Sequence, residues 1–241
     1  MCTQNHPICQ GINAVKMFQF RNLSTLLLVF FCIQFTHAQE RSRVEQENRA
    51  VKAIQDLKDG VLILRLPSNA KKIKAMEDLL ASDISAKDKA RVKKQIESIR
   101  TKNKEENAAF AAAFGQHFTF SPVYIIYDTT TTALLAGEEG NYLLNPQLQP
   151  VPSGEIRDKS FLIARLGRTD RSNTSGAEAI VLMDQNLQDL SNPFPYAAKL
   201  NSLGYALNRI LIPEVAFDKR LAKVVTKLDR SLKRFYSRLS D

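Results

Sequence analysis

The chain has 241 residues, of which 24% are charged and 44% hydrophobic, and its formal net charge is +9 at pH 7. With 9 Gly and 9 Pro, this composition excludes collagen-like, low-complexity and multispanning membrane proteins. It is typical of an ordinary globular protein, so function has to be sought in particular residues.

The longest apolar run lies near the N-terminus, at residues 26–33, and the small residue Ala38 follows it shortly. Basic residues but no acidic ones precede the run, which is the pattern of a cleavable secretion signal. The run is shorter than the roughly 20 apolar residues of a membrane-spanning helix. We therefore predict a signal peptide over residues 1–38, with Met17 as an alternative translation start.

Two alternatives to this cleavage are an uncleaved anchor and a lipoprotein signal that uses Cys32, although the bulky Phe31 before it disfavours the second. The predicted mature chain, residues 39–241, contains no Cys, no Trp and one His, His117. Cysteine nucleophiles and cysteine metal sites are thereby excluded from it. A Ser-His-Asp triad or a His-rich metal site would depend on His117 alone.

The first half of this mature chain is mostly helical in pattern. An amphipathic helix is predicted over residues 40–58, and the next run, 61–66, is apolar on both faces like a central strand. Ser68 and Asn69 are expected to cap a helix over 70–81. Ser85 is expected to cap a further helix that runs to about His117, with Gly115 as its C-terminal glycine. The polar residues 102–107 leave open whether this is one helix or two.

The second half is richer in strands. Buried strands are predicted at 122–127, 161–166 and 179–183, the last two as a hairpin, with a Pro-rich loop at 145–154. Phe194–Pro195 is a candidate cis bond. From Pro213 onward, apolar residues recur every three or four positions as in one long helix.

This order of elements predicts an α+β fold in which a single mixed sheet of about four to five strands is flanked by helices. The long C-terminal helix is amphipathic, and the order is loosely similar to the thioredoxin-like arrangement. Residues 39–241 contain no long linker, so one domain is predicted.

Three segments carry a resemblance to a known family: Asp59–Pro67, Phe118–Tyr124 and Pro193–Tyr196. In these segments the chain resembles a family of exported proteins from Bacteroidetes-type bacteria, which has no assigned activity. The resemblance implies export and a single domain, and it implies nothing about mechanism.

The most specific internal pattern is the sequence Leu-Ile-x-Arg-Leu, which occurs in two predicted strands and ends at Arg65 and Arg165. Two arginines at the ends of buried strands form a candidate clamp for a carboxylate or phosphate group. The alternative is that each is neutralised by a carboxylate from a neighbouring strand end, Asp128 or Asp184.

Other polar residues favour a structural role. His117 is expected to interact with the C-terminus of its helix. Glu138 and Glu139 are a candidate acid–base pair but resemble a solvated loop. Asp170, Asn173 and Thr174 offer oxygen ligands without the spacing of a calcium loop. No zinc signature, phosphate-binding loop or nucleophile elbow occurs, so we predict no metal site and no cofactor.

Basic residues cluster in two regions. Residues 71–104 contain eleven Lys or Arg and five acidic residues, and 213–241 contain eight and four. Such helices have solvated faces or attract an acidic partner, such as acidic envelope components or an anionic lipid surface. Nucleic acid is disfavoured, because no binding motif occurs.

The predicted function is that of an exported, soluble protein of the periplasm or envelope that acts by non-catalytic binding. The alternative is a carboxylate-dependent hydrolase of the envelope, because the predicted mature chain offers few other catalytic groups. Ligand and oligomeric state stay open.

Overall fold

A computed structural model describes residues 43–169, 176–200 and 213–240. The predicted signal peptide, residues 1–38, lies outside the described residues. The chain divides into two units, Met1–Glu47 and Asn48–Asp241, and the second contains the whole sheet.

A mixed sheet of seven strands organises this second unit. The strands are β1 (Val61–Leu66), β2 (Val123–Tyr127), β3 (Leu143–Leu144), β4 (Pro150–Val151), β5 (Phe161–Arg168), β6 (Glu178–Met183) and β7 (Ala197–Lys199). Their spatial order is β4-β3-β2-β1-β5-β6-β7. The central strand β1 runs parallel to β2 and β5, and the other neighbours are antiparallel.

The prediction of a mixed sheet is confirmed, as is the hairpin, formed by β5 and β6. The sheet has more strands than the predicted four to five because β3, β4 and β7 were not recognised. Strands of two or three residues are too short to show an alternating pattern. The cis bond is at Asn192–Pro193, one proline earlier than predicted.

One face of the sheet is covered by long helices and forms the larger core. These helices are α1 (43–59), α3 (Ala86–His117) and α5 (Pro213–Ser240), while α2 (Ala70–Ala81) lies outside them against α3. Alternate residues of β1, namely Leu62, Leu64 and Leu66, point into this first core.

Helix α3 is one unbroken helix, with the Ser85 hydroxyl accepting from the backbone N of Asp88 at its start. Gly115 lies within the helix instead of after it. A Cβ there would lie 2.7 Å from Pro146 Cβ, so the glycine permits a close approach of the loop. Ser68 Oγ accepts from the backbone N of Ala70, while Asn69 makes no side-chain cap.

The polar middle of α3 holds the end of β1. Asn107 donates through Nδ2 to the carbonyl of Pro67 at 3.0 Å, and Asn103 donates to the carbonyl of Ser68 at 2.8 Å. These amides donate hydrogen bonds to two backbone carbonyls in the loop directly after β1, which would otherwise need another partner. Two polar side chains in the middle of α3 therefore have partners in the loop after β1, and the helix continues through this stretch.

The opposite face of the sheet carries a smaller second core under short elements. These are the 3₁₀ turns Asp128–Thr130 and Ser153–Ile156 and the short helix α4 (Thr131–Leu135). Val61 and Ile63 of β1 and Ile163 of β5 belong to it. Among the described helices, none combines the length and apolar character that a membrane crossing requires.

Candidate functional site

The two arginines singled out by the sequence lie side by side. In the parallel pairing of β1 and β5, Arg65 is opposite Arg165, so both side chains leave the same face of the sheet. That face carries the second core. Val61 and Ile63, which belong to this core, lie four and two residues before Arg65 and so point to the same side of the strand.

The arginines have other partners than the two predicted carboxylates. The Arg165 side chain is 11% exposed and donates through one terminal nitrogen to both oxygens of Asp189, at 2.8 and 3.1 Å. Arg65 donates through Nε to the hydroxyl of Thr131 at 2.8 Å. Gly167 leaves the space in which the Arg165 guanidinium lies, because a Cβ there would be 1.8 Å from one of its nitrogens.

Asp128 and Asp184 instead hold loops in place: Asp128 binds the loop after the neighbouring strand β1, and Asp184 binds the loop after its own strand β6. Asp128 accepts from the backbone N of Ser68 at 3.0 Å, and Asp184 accepts from the backbone N of Asn186 and Gln188 at 2.9 Å each. A carboxylate directly after a strand is well placed to accept from nearby backbone N–H groups. Asp184 also accepts from a terminal nitrogen of Arg49 on α1 at 3.4 Å, so its arginine partner is not Arg165. Their prediction as the partners of Arg65 and Arg165 is therefore corrected to Thr131 and Asp189.

The remaining predicted residues lie apart from one another. His117 is the last residue of α3. Glu139 forms an ion pair with Arg157, whereas Glu138 faces a cleft. Asp170, Asn173 and Thr174 lie outside the described residues. Within the described part of the chain, no group of three or more His, Cys, Asp or Glu is placed to hold a metal ion.

A cleft of about 570 Å³ opens beside the second core, at the opposite end of α4 from the arginines. Its floor is apolar and aromatic: Leu134 and Ile156 are buried, and Tyr142 and Phe161 are half-buried. Its volume falls in the range of about 300–1,000 Å³ typical of small-molecule sites.

One wall of the cleft is fixed by the end of α4. The backbone N of Gly137 donates to Leu134 and that of Glu138 donates to Ala133, at 3.1 and 3.0 Å, which is the Schellman pattern of a helix end. Gly137 has φ +65°, a left-handed conformation that glycine adopts without strain. This turn directs Glu138 to the cleft.

Further hydrogen bonds hold the same wall in place. The carbonyl of Glu138 accepts from the hydroxyls of Tyr142 at 3.0 Å and Ser153 at 3.2 Å. Ser153 Oγ also accepts from the backbone N of Gly140. A wall held by this many bonds is formed before a ligand arrives, which lowers the ordering cost of binding.

Next to the cleft, Tyr124 of β2 donates its hydroxyl to Glu155 at 2.6 Å. This hydrogen bond, with smaller contributions from burial and from the negative charge of Glu155, raises the pKa of Tyr124 to about 12. The pair links β2 to the 3₁₀ turn that forms another wall of the cleft.

The basic region 71–104 forms a helical hairpin, made of α2, the connecting loop and the first half of α3, which we call the lysine-rich hairpin. Within the described residues, seven of its lysines form no ion pair. They are Lys71, Lys72, Lys87, Lys89, Lys93, Lys94 and Lys104. Four basic residues here do pair with acidic neighbours: Lys74 with Asp78, Arg91 with Asp88, Arg100 with Glu77 and Lys102 with Glu106.

Apolar side chains accompany these lysines on α2. The helix buries no residue, and Leu79 is 44% exposed. Ile73, Met76 and Leu80 are half-exposed because α2 packs mainly on α3 and not on the sheet. The lysine-rich hairpin thus presents positive charge and apolar surface together.

Comparisons with known proteins returned no match: no protein-family model, no curated protein and no solved structure is similar to this chain. No pattern in the sequence indicates the cleft or Asp189. Thr131 lies in a run of four threonines, residues 129–132, and this run does not mark it as the partner of Arg65.

Proposed function

We propose that this chain is an exported protein of the cell envelope that acts by non-catalytic binding, with the lysine-rich hairpin attaching it to an anionic lipid surface. The resemblance to exported proteins and the secretion-signal pattern support the location. The loosely thioredoxin-like order of elements stays a prediction and lends nothing to this function.

The observation that carries the proposal is the group of unpaired lysines beside exposed apolar side chains. A lysine near an anionic membrane contributes about 1 kcal/mol of attraction. An acidic polysaccharide would use the lysines but not Leu79, whereas a lipid surface uses both kinds of side chain. The combination therefore favours lipid over polysaccharide.

The test is sedimentation of the protein with vesicles of phosphatidylglycerol and phosphatidylcholine, at low and high salt. We expect binding that weakens as salt rises. A triple variant, Lys87→Gln, Lys93→Gln and Lys94→Gln, should bind roughly a hundredfold more weakly. The control variant, Lys219→Gln, Lys223→Gln and Lys227→Gln on α5, removes the same charge from another helix and should bind nearly as well as the wild type.

Three results would contradict the proposal. They are retention that salt does not change, equal losses in the two triple variants, or binding to alginate in solution but not to vesicles. Export is tested by mass spectrometry of the natively produced protein, which should find a chain that begins at Gln39. A full-length species kept inside the cell would contradict the location.

The alternative function, a carboxylate-dependent hydrolase, is supported by the position of Glu138 in the cleft. Hydrolysis of glycosidic bonds commonly uses two carboxylates. Among the described residues that line the cleft, Glu138 is the one carboxylate. We therefore place the hydrolase second; turnover of an envelope polysaccharide that Glu138→Gln abolishes would reverse this order.

A further inference from the structure

The cleft beside the second core combines an apolar, aromatic floor with a polar rim. Its floor offers the aromatic rings of Tyr142 and Phe161 together with the aliphatic side chains of Leu134 and Ile156. Rings of this kind pack against flat, partly apolar groups. A ligand that fits must therefore have an apolar face.

The rim of the cleft is polar and presents both donors and acceptors. Gln185 and Asn186, in the turn after β6, are exposed and contribute amide groups, each with donor and acceptor atoms. Glu138 contributes an acceptor and Arg157 contributes donors. A hydroxyl group donates one hydrogen bond and accepts two, so several hydroxyls suit such a mixed rim better than a single charged group does.

The charge of the rim disfavours an anionic ligand. The positive charge of Arg157 is paired with Glu139, which leaves Glu138 without an ion-pair partner among the described residues. A phosphate or carboxylate placed beside Glu138 would be repelled. This separates the cleft from the lysine-rich hairpin, whose charge attracts anions.

We propose that the cleft binds a neutral oligosaccharide, whose ring C–H faces pack on Tyr142 and Phe161 and whose hydroxyls bond to Gln185, Asn186 and Glu138. The proposal concerns a different surface from the lipid-binding hairpin and does not depend on it. The pre-formed wall at Gly137–Glu138 supports it, because a rigid cleft loses less freedom when it binds a small ligand.

The test is saturation-transfer-difference NMR and calorimetry on the whole protein with maltotriose, cellotriose and tri-N-acetylchitotriose. We expect at least one to bind saturably with a Kd in the millimolar range or tighter. The double variant Gln185→Ala, Asn186→Ala should weaken that binding roughly tenfold or more, since rim hydrogen bonds are lost. Gln188→Ala, in the same turn but not lining the cleft, is the matched control and should bind like the wild type.

Glu138→Gln gives a second, independent measurement, because the residue is exposed and its substitution keeps the size of the side chain. With it, the neutral sugar should still bind, and the discrimination against trigalacturonate should shrink. Saturable binding to none of the three sugars, equal binding in the double variant and its control, or tighter binding of trigalacturonate than of any neutral sugar to the wild type would each overturn the proposal.

Discussion

The two faces of the sheet are covered in different ways. Long helices cover the first face. Their apolar side chains, including Phe114 of α3 and Leu228 of α5, bury nearly all of it. The second face is covered by α4, two 3₁₀ turns and loops, and its buried residues are fewer. It also holds two arginines, the hydroxyls of Thr131 and Ser153, and a cleft. We therefore expect the first face to supply most of the stability and the second face to supply the polar chemistry.

The largest expected effect tests this division of stability. Phe114→Ala, at a position that is 0% exposed in the first core, should lower the free energy of unfolding by about 4 kcal/mol. Leu134→Ala, 4% exposed at the floor of the cleft, should cost about 2 kcal/mol, because water in the cleft limits the empty cavity that is left. Urea denaturation measures both. Equal losses, or a larger loss for Leu134→Ala, would show that the second face is packed as tightly as the first.

A smaller effect is expected from the ion pair on the second face. Asp189→Ala leaves the nearly buried guanidinium of Arg165 without its carboxylate and should cost about 2 kcal/mol. Arg165→Met should cost less, because Asp189 is 24% exposed and is more easily solvated. The control is Asp78→Ala at an exposed pair on α2, which should change stability by less than about 0.5 kcal/mol. If Asp189→Ala has no larger effect than this control, the pair is not structural.

The smallest effect concerns pH. The pKa of Tyr124 is about 12, above its ordinary value of 10.0, because its hydroxyl donates to Glu155. The folded state therefore favours the protonated tyrosine, and the resulting stability is complete below pH about 10 and is lost as pH rises towards about 12. Glu155→Ala, which removes the acceptor, should return the titration of Tyr124 towards 10.0. The difference in tyrosinate absorbance between each protein and its Tyr124→Phe partner measures this, and an unchanged titration in Glu155→Ala would exclude the hydrogen bond as the cause.

The first face was largely predictable from sequence because its signals are long. Helix α3 and helix α5 repeat their apolar residues over many turns, and β1 is apolar on both sides. The continuity of α3 through Asn103 and Asn107 was left open, since the carbonyls that these amides bind belong to a loop 35 or more residues earlier.

The second face was mostly beyond such reasoning. The shared pattern at Arg65 and Arg165 was visible, but their adjacency depends on a parallel register between strands a hundred residues apart. Asp189 reaches Arg165 because the chain turns back after β6 and bridges to Met183, which local propensity does not reveal. The cleft is lined by residues from the end of α4, the start of β5 and several loops, and no one of these short segments indicates a cleft by itself.

Helix α3 connects the lysine-rich hairpin to the first face of the sheet, and this connection constrains how the sequence can vary. Its first half carries lysines and its second half packs on the sheet, in one helix with no break. Each residue in a helix advances the chain by about 100° around the axis. Deletion of a single residue between Ile96 and Asn103 would therefore rotate the lysines by about 100° relative to the half that packs on the sheet, and it would rotate the buried Val92 and Ile96 with them. The residue count of α3 therefore sets the direction in which the lysine-rich hairpin points.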